Sequence, residues 1–130
     1  MTAQEAADRW RTGWEQAWPR HDVEAIAALY APTATYRALV FRPPDEGTDG
    51  VRRYLRETFA EERDVECRFG VPISAGNRAA VEWWASWIEG GEEVTLAGTT
   101  LLAFDDSGQV VDHRDHWNQQ PGRVQPFAGW

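Results

Sequence analysis

The sequence predicts an α+β domain whose helices pack on one face of a curved, mainly antiparallel sheet, so that helices and sheet together enclose a cone. Three observations lead there. Helical segments with apolar residues at three- and four-residue steps, interrupted by one strand candidate, run as far as Phe59, and everything after it looks like sheet. The long strand candidates of the second half are separated by short turn sequences that favour hairpins. A chain of 130 residues is the size of one domain with one real core.

The elements follow in order. Thr2 and Glu5 form a capping box, and Ala7, Trp10, Trp14, Ala17 and Trp18 share one face, which predicts a helix from about residue 3 to residue 18, stopped by Pro19. Asp22 caps a second short helix, "VEAIAALY", closed by Pro32. "ATYRALVF", Ala34–Phe41, is the first strand candidate and ends at Pro43-Pro44. Asp49-Gly50 restarts the chain into a helix with Val51, Tyr54, Leu55, Thr58 and Phe59 on one face. Strands are expected over Val65–Val71, Arg78–Glu89, Glu93–Phe104 and Gln109–Asn118, divided by "SAGN", Gly90-Gly91 and "DDSG". Residues 1–130 read as a single domain with 119–130 as a tail, and Phe127 and Trp130 are too apolar for that tail to be free in water.

Composition excludes several functions. A hydrophobic share of 42% against 26% charged residues is globular, and no apolar run is long enough to span a bilayer. The N-terminus has acids and no apolar signal core, so a cytoplasmic protein is expected. A net charge of −8 repels nucleic acid and anionic membranes, so neither is an expected partner. Cys67 is the single cysteine and reads as a half-buried small residue. The 8 tryptophans are the strongest signal, because so much indole surface must line a core, a pocket or an interface.

"DVEAIAALYAPTATY" after an amphipathic helix, and "FDDSGQVVDHRDHW" near the end, resemble the nuclear transport factor 2-like superfamily and its SnoaL-like branch, over nearly the whole chain. The resemblance implies a cone-shaped α+β barrel and a pocket for a small molecule. It fixes no activity, because the superfamily includes isomerases, cyclases, dehydratases, hydrolases and proteins that only bind. Ketosteroid isomerases, similar in the same segments, work with a base aspartate and an oxyanion hole of tyrosine plus protonated aspartate. Their tyrosine falls on Trp14 here, their base on Ala38 and their donor on Thr100, so that mechanism is not expected. A tryptophan that points into their cone matches Trp117.

That match sets the facing of the strands. With a period of two, His113, Asp115 and Trp117 point inward while Asp112, Arg114 and His116 point outward. The other inward sets are Val81, Trp83, Ala85 and Trp87, and Tyr36, Ala38 and Val40. Asp115 is then a carboxyl walled by Trp14, Trp83, Trp87 and Trp117, an environment suited to exchanging a proton with a substrate, with His113 as its hydrogen-bonded partner. Trp18 adds to the wall, and Tyr36 and Thr100 are expected to orient a substrate oxygen. His113-x-Asp115 is also the spacing of two ligands of an iron site, but His116 faces away and His21 lies in a loop, so neither metal nor cofactor is assigned. The reading is a pocket for a small, largely apolar ligand with cofactor-free acid–base chemistry, or a binding module using the same pocket without turnover. A homodimer is expected through the outer sheet face, because Trp84 would be costly in water beside Asp112, Arg114 and His116.

Overall fold

The computed structural model describes all residues 1–130. Helix α1, Ala3–Ala17, opens on the capping box: Thr2 Oγ1 accepts from Glu5 N and Glu5 Oε2 accepts from Thr2 N. Pro19 then tightens the chain into a 3-10 turn, Trp18–Arg20. Asp22 caps α2, Val23–Ala27, by accepting from Ala25 N. Helix α3 covers Gly47–Ala60 and buries Val51, Leu55 and Phe59.

The strands are β1 Tyr30–Arg37, β2 Asp45–Glu46, β3 Arg63–Phe69, β4 Ile73–Ala75, β5 Arg78–Glu89, β6 Glu92–Phe104 and β7 Val110–Pro121. They form one curved sheet in the order β2-β1-β7-β6-β5-β3, with β4 beside β3 on β5. The sheet is open, so the cone is not a closed barrel. All pairings are antiparallel except β1 with β7, which is parallel and ends at Arg37↔Arg114. The helices cover the concave face, where Trp10, Trp14 and Trp18 meet Phe69, Trp83 and Trp87 in the core.

Three expectations shift. The second helix stops at Ala27, and Tyr30 already belongs to β1, whose register slips between Tyr30 and Thr35. Pro32 has no N–H to contribute to a ladder and is tolerated because it falls in that slipped stretch. The first strand therefore lies four residues earlier than expected at each end, and Val40 is exposed beyond the strand instead of pointing inward. The short strands β2 and β4 carry too few residues to show a period.

The tail docks on the outer face and leaves the concave side open. Trp84 Nε1 donates to Val124 O at 2.6 Å, Val124 N donates to Thr95 Oγ1 at 2.9 Å, and that hydroxyl donates to Gly122 O at 2.7 Å. Phe127 and Trp130 meet the Trp84 ring edge to face, and the Arg68 guanidinium lies 5.2 Å from the Trp130 ring centre. The chain thus covers Trp84 itself. Deleting residues 124–130 is expected to remove about 2 kcal/mol and lower Tm by roughly 5–10 °C. Thermal unfolding of the truncated protein measures this, and an unchanged Tm would mean the docked tail stabilises nothing.

Candidate functional site

The open end of the cone holds a chamber of about 530 Å³. Helix α1 and the turn after it bring Trp14 and Trp18, β5 brings Trp83 and Trp87, β1 and α3 bring Tyr36 and Tyr54, and β7 brings His113, Asp115 and Trp117. Gly98 on β6 lies opposite both Trp83 and Trp117. A Cβ there would fall 2.7 Å from Trp83 Cζ2 and 2.7 Å from the His116 carbonyl oxygen, so only glycine lets the Trp83 indole lie against the sheet. Trp117 donates from Nε1 to Ala38 O at 3.1 Å and holds the chain beyond β1 at the chamber rim.

Hydrogen bonding through the site runs in one direction. Trp10 and Trp14 both point their Nε1 at the Tyr30 hydroxyl, at 3.0 and 3.2 Å, and an indole N–H can only donate. With its lone pairs taken, the Tyr30 oxygen has its own proton to give, and the acceptor in reach is His113 Nδ1 at 2.8 Å. His113 therefore carries its proton on Nε2 and donates it to Asp115 Oδ1 at 2.8 Å. A second chain arrives from β5 and β6: Trp83 Nε1 donates to Thr100 Oγ1 at 2.8 Å, and Thr100 donates to the same Oδ1 at 2.7 Å. A proton on His113 Nδ1 would face an oxygen with no lone pair to spare, so the imidazole is a neutral strut. Its side chain is 1% exposed and stacks on Tyr36 with ring centres 3.8 Å apart.

Asp115 has 11% of its side chain exposed, into the chamber. Both protein hydrogen bonds to it fall on Oδ1, so Oδ2 is left for whatever occupies the chamber. The Tyr36 hydroxyl has no hydrogen-bond partner in the protein and also lines the chamber. Burial, reinforced by the charge of Asp115, pushes Tyr36 and Tyr54 well above the ordinary phenol range, so both remain O–H donors. Glu62, just after α3, is buried at the chamber wall and accepts from Trp18 Nε1 at 2.7 Å. Burial pushes its carboxyl up to about 7 against the pull of that one hydrogen bond, with Glu89 adding a smaller push.

All nine site residues expected from the sequence, Trp14, Trp18, Tyr36, Trp83, Trp87, Thr100, His113, Asp115 and Trp117, line this one chamber. One expected placement changes. The Thr100 hydroxyl is spent between Trp83 and Asp115, so it positions the carboxylate and has no proton to offer a substrate oxygen. Of the other histidines, His21 stacks on Phe59 and His116 lies on the outer groove. On the outer face Asp112 binds Arg114 at 2.7 Å and accepts from Thr35 Oγ1 at 2.7 Å. Sequence reasoning missed Tyr30 and Glu62. Tyr30 looked like the end of a helix, and nothing in "FAEERDVE" separates Glu62, which folds inward, from Glu61, which stays in solvent.

Fold and site together define a chamber lined by indoles and a few buried polar groups in an open α+β cone. The model of the SnoaL-like domain matches residues 10–113, and the chain belongs to that family. Among solved structures it is similar to SalBIII, described as an "epoxide hydrolase/cyclase-like enzyme" with a role "in pyran ring formation in polyether salinomycin". The two share 18% identity and a TM-score of 0.76, over 88% of this chain and 92% of that one, a likeness of fold.

Glu62 sets a pH dependence of stability. A carboxyl whose folded pKa is raised holds its proton more tightly folded than unfolded, so the contribution of Glu62 to stability is greatest below 4.5, falls as pH rises toward about 7, and is level above. Glu62→Gln keeps an acceptor for Trp18 and removes the charge, so it is expected to stabilise the protein by up to about 3 kcal/mol at pH 8 and hardly at all at pH 4. Denaturation of both proteins at the two pH values checks this. An equal difference at both would show that Glu62 ionisation is not the cause.

Proposed function

We propose that this protein is a cofactor-free acid–base enzyme acting on a small, largely apolar ligand held in the indole-lined chamber, with Asp115 as the base. The observation that carries the reading is the uneven loading of the carboxylate. Two donors converge on Oδ1, and Oδ2 is left for the chamber. Such loading fixes the carboxylate in one orientation before substrate arrives, as a positioned base requires. His113 is a positioning residue: Tyr30 fixes its tautomer, and it aims Asp115. The Tyr36 hydroxyl is the donor available to an oxygen that gains charge as the proton leaves. A pyran ring, whose formation is the role named for SalBIII, is closed through an oxygen, and a step of that class needs the same pair, one group to take a proton and one to support an oxygen.

The second reading, a binding module without turnover, is favoured by the tight His113–Asp115 contact, which would also satisfy a buried polar pair that does nothing. Exchange of the α-protons of 2-tetralone with heavy water, followed by NMR, separates the two. The wild type is expected to accelerate exchange, Asp115→Asn to lose about 10²- to 10⁴-fold of the acceleration, and Asp112→Asn to leave it intact. Binding of tetralone with no exchange above that of Asp115→Asn would leave the binding module.

For a partner we propose a second copy on the outer sheet face. Leu39, Val40, Phe41 and Phe127 stand exposed there around a groove of about 830 Å³. Phe41→Asp is expected to shift a dimer to monomer on size exclusion, and a wild type already monomeric at micromolar concentration would end the proposal.

A further inference from the structure

Glu62 is only 3% exposed, and a carboxyl taken so far out of water is ordinarily matched by a cation or by several donors. Neither is present. The Trp18 indole supplies its one hydrogen bond, to Oε1, and no arginine or histidine nitrogen lies within 4.0 Å. Oε2 takes no hydrogen bond from the protein, and the side chain lines the chamber.

The walls beside it are indoles. The Trp18 ring lies 5.9 Å from that of Trp83 at 69° and 5.8 Å from that of Trp87 at 45°, and all three line the chamber. Rings that meet edge to face or at a tilt do not consume all their faces on each other, and an indole face is the negative side of its quadrupole. Further out, Asp45, Glu57 and Glu89 line the chamber against a single lining arginine, Arg42, and Arg53 from outside the lining reaches Asp45 alone, at 3.9 Å. The chamber is therefore apolar by shape and negative by charge, in a protein of net charge −8. A bare metal ion does not suit it, because hard cations take six or more oxygens and no group of three or more ligating side chains is assembled. A cation that carries its own apolar surface does suit it.

We propose that the ligand of this chamber is cationic: an amine or quaternary ammonium on a largely apolar frame, its charged group held between Glu62 and the indoles of Trp18, Trp83 and Trp87. The proposal rests on the reading that the chamber is the ligand site, and it names the class of ligand. An ammonium beside Glu62 supplies the counter-charge that the fold withholds. Cation–π attraction in a desolvated site adds to it.

The test compares two probes of the same shape, phenyltrimethylammonium and tert-butylbenzene, titrated into the full chain with tryptophan fluorescence as readout. At about pH 8 the cation is expected to bind at least about tenfold more tightly than its neutral isostere, although water favours expelling the neutral one. Glu62→Gln is expected to weaken the cation about tenfold and leave tert-butylbenzene unchanged. Below pH 7 the cation should weaken in the wild type as Glu62 takes up its proton, and not in Glu62→Gln. That contrast separates Glu62 from the other titratable groups facing the chamber, Asp45, Glu57, Glu89, Asp115, His113, Tyr36 and Tyr54, and from Arg42. Tight binding of tert-butylbenzene with no preference for the cation overturns the charge assignment and leaves the pocket and its base standing. So does a cation preference that survives Glu62→Gln. Binding of neither probe overturns this proposal and the ligand site together.

Discussion

The site depends on the Tyr30 hydroxyl. Two indoles that can only donate converge on one phenol oxygen, and this fixes the direction of every hydrogen bond downstream, through His113 to Asp115. The consequence is chemical as well as structural. A histidine beside an aspartate is usually read as a proton relay, but here Tyr30 turns the histidine into a donor toward Asp115, and Oδ2 of that carboxylate is the atom left facing the chamber. Thr100, fed by Trp83, makes the same point from the neighbouring strand. Tryptophans that look like core filling also set the polarity of the site.

The open sheet matters to the same chemistry. Because β1 leaves β7 after Arg37, the chain from Ala38 to Pro43 can frame a mouth, and Trp117 holds it there through the Ala38 carbonyl. A closed barrel would pair those residues and leave no way in. The convex face carries the tail, whose hydrogen bonds to Trp84 and Thr95 hold Phe127 and Trp130 against the outer side of β5. The helices and the tail therefore pack on opposite faces of one sheet.

Much of this was legible residue by residue. The capping box at Thr2, the indole stripe of α1, the long strands β5 to β7 and the alternation that turns Asp115 inward and Asp112 outward all follow from periodicity and turn chemistry, with one tryptophan match to set the phase. The misreadings came where the period is too short to read. Tyr30 stands at a junction of helix and strand, so its apolar neighbours fit either element, and the early end of β1 put Val40 in solvent. Glu62 stands in the turn out of α3, where burial is decided by the path of the backbone and leaves no pattern in sequence.

By itself the sequence determined the order of helices and strands and the division of the last strand into two faces, with His113, Asp115 and Trp117 on one of them, because each is a local consequence of side-chain period along one element; the likeness of Trp117 to a family tryptophan chose which face is inward. Only the tertiary structure decided which protons that pair holds and what charge the pocket presents. The tautomer of His113 depends on an oxygen 83 residues away and on two indoles from helix α1. The state of Glu62 depends on how completely Trp18, 44 residues earlier, and its neighbours exclude water. Hydrogen-bond direction and desolvation are properties of groups brought together from distant parts of the chain, and no local pattern encodes them.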